Sequence, residues 1–222
     1  ANRVVIVFTA VEVKPAEGSS ISFTLPSPRS IDLLNTTGTD SEVLLEGQTL
    51  GAGQYNWIRL DVDESASFIE FDDNGGVITN SISIPSESRS GLKLNRPFVI
   101  PAGGEADFTI DFDLRKSVHY PEGHNGVYMV RPTLRIVDNN EVGHISGMVS
   151  AGLINTSGGN AVYVYNGTAA VVDDYDGSGV DGDDPVNSAM VNATTGAYTV
   201  GFLEPGGYTV AFTNTADADD VL

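Results

Sequence analysis

Residues 111–126, DFDLRKSVHYPEGHNG, bring two aspartates, an arginine, a lysine and two histidines into one short stretch. His119 and His124 flank Tyr-Pro-Glu-Gly with Glu122 between them, and two imidazoles with a carboxylate are three of the four ligands that a tetrahedral zinc ion takes. The H-x-x-x-x-H spacing, on a loop holding Pro121 and Gly123, matches no helix-borne zinc motif. No third histidine lies close, and His144 stands alone further along the chain. Read as a strand, the same region places Phe108, Ile110, Phe112 and Leu114 on one face and Asp107, Asp111, Asp113 and Arg115 on the other. The charges then form a solvated stripe, with Arg131 or Arg135 available as cross-strand partners for the aspartates. The alternation favours this second reading over an active site.

The stronger ligand candidate is VVDDYDGSGVDGDDP, residues 171–185. Calcium takes six to eight hard oxygen ligands, and aspartates interleaved with glycine let a loop curl until several carboxylates converge. Asp174, Asp176, Ser178 and Gly179 imitate the opening of an EF-hand loop, but Pro185 stands where the closing glutamate belongs. An EF-hand is therefore excluded. A looser calcium site built from Asp174, Asp176, Asp181 and Asp183 is the metal candidate, set against a solvated acidic loop that holds no ion.

Nucleophilic chemistry finds little support. The chain has no G-x-S-x-G elbow, no glycine-rich phosphate cradle and no HExxH pair. With 30 acidic residues against 11 basic ones, carboxylate pairs are too common to signal acid/base work, and the net charge of −19 disfavours nucleic acid and anionic membranes as partners. There is no cysteine, hence no disulfide framework and no thiolate ligand. No apolar run is long enough for a membrane helix. The run VVIVF opens the chain almost at once, which points to residues upstream of the sequence given and leaves room there for a lipid anchor. Four Asn-x-Ser/Thr triplets, at Asn35, Asn155, Asn166 and Asn192, mark surface-loop chemistry compatible with glycosylation.

The elements that must carry these residues are strands. Short β-branched or alternating runs bounded by Gly, Pro, Asn and Asp predict strands at Arg3–Val13, Ser20–Leu25, Tyr55–Val62, Ser67–Phe71, Val77–Ile84, Gly91–Ile100, Ala106–Leu114, Val127–Val137 and Gly143–Val149. Beyond these, Ala161–Tyr165, Ala169–Val172, Ser188–Val191, Ala197–Phe202 and Gly207–Phe212 read the same way. Asp-Asp-Asn-Gly-Gly at 72–76 is the strongest hairpin signal, because Asn74 and Gly75 tolerate the positive φ of a tight primed turn. SIDLLNTTG and SEVLLEGQTL, between Ser30 and Leu50, are the only places where a short helix could hide, with a helical turn expected around Glu42–Glu46. The composition shifts near Asp138, giving an all-β chain of two consecutive, mostly antiparallel β-sandwich domains, 1–140 and 141–222, with little helix. Alternation puts Trp57 on a face with Tyr55 and Arg59, opposite Ile58 and Leu60. Trp57, Tyr163, Tyr165 and Tyr208 are candidate stacking surfaces for sugar.

SGLKLNRPFVIPAGGEADFTIDFDLRKSVH (90–119), followed by GVYMVRPTLRIVD (126–138), resembles the bacterial surface and lipoprotein family known only as domain of unknown function 4382. VVIVFTAVEVKP (4–15), IDLLN (31–35) and LGAGQYNWIRLDVDE (50–64) occur in that family's order too. The resemblance implies secretion and β-sandwich architecture, and it names no catalytic residue. NATTGAYTVGFLEPGGYTVAF, in the second block, is similar to carboxypeptidase-regulatory-like, transthyretin-type sandwiches. Both families carry a further strand beyond the corresponding end of this chain, so open sheet edges are expected near Ala1–Val13 and near Tyr208–Leu222, where copies of the chain would exchange strands. The expectation is a non-enzymatic extracellular or cell-surface protein, structural or adhesive, assembled as a filament or matrix subunit. The alternative is a calcium-stabilised module of a surface lipoprotein that binds a carbohydrate or another ligand.

Overall fold

The computed structural model describes residues 1–73, 75–85, 91–120, 126–131, 133–173 and 182–216. It is all-β and falls into two compact units, the first made of Ala1–Thr36 and Ser41–Asp138, the second of Thr37–Asp40 and Asn139–Leu222.

The first unit is organised around β1 (Arg3–Pro15). One edge of β1 pairs with β2 (Ile21–Asp32); the other pairs with β3 (Gly53–Val62) along its C-terminal half and with β4 (Phe68–Asp73) along its N-terminal half. A strand hydrogen-bonded on both sides and buried over most of its length reads as an unbroken apolar run, which VVIVF is. The first strand is therefore not an open edge, and the expectation of strand exchange at Ala1–Val13 is corrected. The edge passes to β2, which among the described residues pairs only with β1.

Two irregularities in this sheet decide which side chains reach the core. Phe8 faces Val62 and Ala10 faces Asp61, so Thr9 is an extra residue on β1. This bulge inverts the alternation. Val4, Ile6 and Phe8 point to the core before it, and Val11 and Val13 after it. A second extra residue, Asn56, lies on β3 between the pairs Lys14↔Trp57 and Pro15↔Tyr55. It turns Tyr55 inward, onto Phe98 with ring centroids 5.3 Å apart, and away from the face of Trp57 and Arg59. The shared face expected for Tyr55 and Trp57 thus fails at a bulge.

Beyond β4 the hairpin forms as predicted: β5 (Gly76–Ser83) pairs from Phe68↔Ser81 to Asp73↔Gly76, and Gly75 takes φ +91°. The run Gly91–Ile100 splits into β6 (Leu92–Leu94) and β7 (Phe98–Ile100), both on β3, because Pro97 offers no N–H to a ladder. Val127–Val137 also splits. β10 (Val127–Val130) runs parallel to β5 and antiparallel to β9 (Val118–His119), whereas β11 (Leu134–Asp138) pairs with β8 (Phe108–Phe112) in a separate two-stranded sheet. Ile136 and Val130 belong to the same core as Ile6, Ile69 and Leu92, with Phe108, Ile110, Phe112 and Leu134 packed against it. Glu42–Glu46 forms no helical turn. Among the described residues of this unit, single turns form at Leu33–Asn35, within the Ser30–Leu50 stretch, and at Glu64–Ala66, each capped by the aspartate before it, and at α1 (Leu114–Ser117).

The second unit pairs β12 (Gly143–Met148) with β15 (Ala197–Leu203), and flanks β13 (Ala161–Asn166) with β14 (Asn187–Met190) and β16 (Tyr208–Thr213). Val162 and Val164 on one face of β13 pack with Val191, Val200 and Leu203. Ala161, Tyr163 and Tyr165 on the other are buried with Ala216, against Ala170 and Ala211. The expected strand at Ala169–Val172 is reduced to a single parallel bridge between Val172 and Asp183.

Candidate functional site

The stretch that invites a zinc site serves the framework. Arg135 Nε donates to Asp111 Oδ2 at 2.7 Å, the cross-strand pairing expected from alternation, with both side chains about a quarter exposed. Asp113 ends β8 and accepts the Lys116 N–H at 3.2 Å as the cap of α1, so the chain turns before Arg115 can extend the stripe. His119 sits on β9 opposite Met129. Glu122 and His124 lie outside the described residues. His144 is exposed on β12. Among the described residues no group of three or more His, Cys, Asp or Glu is placed to hold a metal ion.

Of the calcium candidates, Asp183 is described, and Asp174, Asp176 and Asp181 lie outside the described residues. What is visible is the neck of the acidic loop. Asp183 N–H donates to Val171 O at 2.7 Å, and Val171 N–H donates to Asp183 Oδ2 at 3.0 Å. The Tyr165 hydroxyl donates to the Asp173 carbonyl, fixing the incoming limb to β13. Gly182 makes the closure feasible, since a Cβ there would lie 2.7 Å from Val171 O and 2.8 Å from Asp173 Cβ. Asp184 follows with Oδ1 buried and without a hydrogen-bond partner among the described residues. The neck thus holds Asp183 against Val171, with Asp173 beside Gly182.

The aromatic candidates sort differently. Tyr163 and Tyr165 are buried and present no stacking face. Tyr208 is half-buried, its hydroxyl donating to Glu204 O at 2.6 Å. Trp57 is half-buried, and its ring already carries two cations, Lys93 Nζ at 4.4 Å and Arg59 Cζ at 5.6 Å from the centroid. Arg59 also pairs with Glu12 across the β1–β3 ladder and with Asp61 at 3.1 Å. Glu12 is only 9 % exposed, so this charge network is part of the packing rather than an open binding face. Sequence reasoning missed it because the Thr9 bulge sets which residue of β1 faces Arg59. It also missed the aromatic row Phe71, Tyr128 and Tyr120, with centroids 5.3 and 4.8 Å apart, where burial, reinforced by Tyr120, pushes the Tyr128 hydroxyl pKa up.

The remaining site is an edge. The Gly167 N–H donates to Gly207 O at 2.8 Å, just beyond the pair Asn166↔Tyr208, and this fixes the phase of the β13–β16 ladder. Hydrogen bonding in an antiparallel pair alternates, so Thr209, Ala211 and Thr213 bond inward to β13. The N–H and C=O groups of Tyr208, Val210 and Phe212 point to the opposite edge, where β16 has no second ladder among the described residues. Val210 is 40 % exposed. The segment YTVAFT contains no proline, glycine or charge. β2, the corresponding edge of the first unit, carries Pro26, Pro28 and Arg29, which blunt pairing.

Comparison with curated proteins gives no match, and neither does comparison with solved structures. The model of one family, described as Domain of unknown function (DUF4382), matches residues 1–132, more than half of the chain, and the chain belongs to that family.

Proposed function

We propose that this chain is a non-enzymatic, extracellular structural or adhesive protein whose copies join by adding a strand to the outer edge of β16, as subunits of a filament or matrix. The observation that carries the reading is that edge, which has no second ladder among the described residues. Six uncharged residues of high strand propensity present three N–H and three C=O groups outward, and such a segment is a template for β-augmentation. Main-chain hydrogen bonds supply the attraction, while Tyr208 and Phe212, packed against the Val162 and Val164 core, and the exposed Val210 set the register of whatever strand is added. The first unit, with its proline-guarded β2 edge, serves as the spacer between joints. Electron microscopy and sedimentation velocity of the secreted protein test this: ordered filaments or a concentration-dependent ladder of oligomers is the expected result. A monomer at every concentration, with the amides of β16 already protected from exchange on both edges, would overturn it.

A second reading, a calcium-stabilised binding module, is favoured by one feature, the buried Oδ1 of Asp184, which has no hydrogen-bond partner among the described residues. Asp174, Asp176, Asp181 and Asp183 would supply ligands, and the ion would rigidify the loop to present a ligand or carbohydrate contact. Titration calorimetry with calcium chloride separates the two readings, since heat with a rise in melting temperature supports the module and silence removes it.

A further inference from the structure

Positive charge in this chain is confined to the first unit. All 11 Lys and Arg residues lie between Arg3 and Arg135, none follows Asn139, and about a dozen of the 30 carboxylates belong to the second unit. Three arginines of the first unit pair within it: Arg3 with Asp32 at 3.3 Å and Glu70 at 3.1 Å, Arg59 with Glu12 and Asp61, and Arg135 with Asp111. A carboxylate of the second unit finds no ammonium or guanidinium within its own unit, and its one histidine is His144. Asp183 uses a main-chain N–H instead, and Asp184 Oδ1 has no hydrogen-bond partner among the described residues.

Like charges repel over a distance set by the ionic atmosphere, about 10 Å at 0.1 M salt and about 3 Å at 1 M. In a small sandwich with one sign of fixed charge, that repulsion opposes the compact state wherever salt does not screen it. We infer that the second unit is a salt-gated fold: mobile cations, rather than fixed partners, hold its self-repulsion in check, so that it opens as salt is diluted while the first unit stays folded.

The chain carries its own reporter. Trp57 is the only tryptophan and lies in the first unit, so its fluorescence follows that unit alone, whereas far-ultraviolet circular dichroism follows both. Thermal melts of the full chain in about 0.02 M and about 2 M sodium chloride should show two transitions. The one silent in fluorescence should rise by about 10 °C or more with salt, and the one reported by Trp57 by less than half as much. Equal movement of both transitions, or none of either, would overturn the inference. So would a gain that saturates at micromolar calcium and that sodium chloride cannot reproduce, because that is site binding rather than screening. A second arm uses Met148→Lys and Met190→Lys, at positions 75 % and 55 % exposed, against Met148→Gln and Met190→Gln. The lysine variants should raise the silent transition in low salt by several degrees over their glutamine counterparts and flatten its salt dependence. Lysine no better than glutamine refutes the proposal.

Discussion

Val210→Pro tests the proposed joint without dismantling the unit that bears it. The ladder phase leaves the N–H and C=O of Tyr208, Val210 and Phe212 outward, so a strand added at β16 forms up to six main-chain hydrogen bonds, each contributing a net of about 0.5–1.5 kcal/mol. Proline at 210 deletes the central donor and leaves a carbonyl of the incoming strand buried and unpaired, a loss of about 1–3 kcal/mol. Self-association should weaken by about 5- to 150-fold. The unit itself should lose well under about 1 kcal/mol, because the deleted N–H has no partner among the described residues and proline is tolerated on strand edges. Ala211→Pro is the matched control. Its N–H bonds inward to Tyr163, so that variant should lose about 3 kcal/mol of stability. Sedimentation velocity reads the association and thermal melts read the fold. Unchanged association in a folded Val210→Pro protein refutes the joint, and equal destabilisation by the two prolines refutes the assigned ladder phase.

Arg59→Ala leaves Glu12, 9 % exposed, without its counter-ion and uncovers Trp57, so the first unit should lose about 3–5 kcal/mol, whereas Glu12→Gln with Arg59→Met together should recover most of it in a double-mutant cycle by denaturant melts. Gly196→Ala places a Cβ against the Val149 carbonyl at a residue with φ +76°, so the second unit should lose about 1–3 kcal/mol, visible as a lowered transition in circular dichroism with Trp57 fluorescence unmoved. The Ser65 hydroxyl, opposed by desolvation and aided by the Ala66 and Ser65 N–H groups, lowers the Asp63 pKa in the fold. A depressed folded pKa contributes stability above the unfolded value of about 3.9 and loses it as pH falls through the folded value. Ser65→Ala should therefore shrink the acid-side loss of melting temperature below about pH 4, and an unchanged acid limb would contradict the assignment.

How much of this was legible in the residues depends on where periodicity holds. The hairpin at 72–76, the long first strand and the uninterrupted AVYVY run were readable because turn chemistry and apolar continuity are local properties. The bulges at Thr9 and Asn56 were not, since an extra residue leaves no mark in composition and shows itself only through the partner strand's register. That is why Tyr55 and Trp57, two residues apart, point to opposite faces. Asp113 was placed on a strand by alternation, yet an aspartate also caps a turn, and the tertiary path chose the cap. The open edge expected at Ala1–Val13 was inferred from a family pattern with a further strand ahead of it, whereas β2, β3 and β4 of the same chain pair along both edges of β1. The unguarded β16 edge was within reach, because YTVAFT without charge or proline is a sequence-level signal.

The two proposals bear on each other through range. Strand addition acts over a hydrogen-bond length, about 3 Å, whereas repulsion between two cation-free units acts over the Debye length, about 10 Å at 0.1 M salt. Two second units approaching at low ionic strength meet the long-range barrier before any ladder can form. On this reading salt acts twice, by keeping the second unit folded and by letting its edge be reached. The two effects separate in the lysine variants. Met148→Lys with Met190→Lys should restore folding at low salt and ease association there, whereas Val210→Pro should restore neither and should block association at high salt, where the unit is folded. A Val210→Pro protein that assembles at high salt as readily as the unaltered chain would leave screening in place and remove the edge.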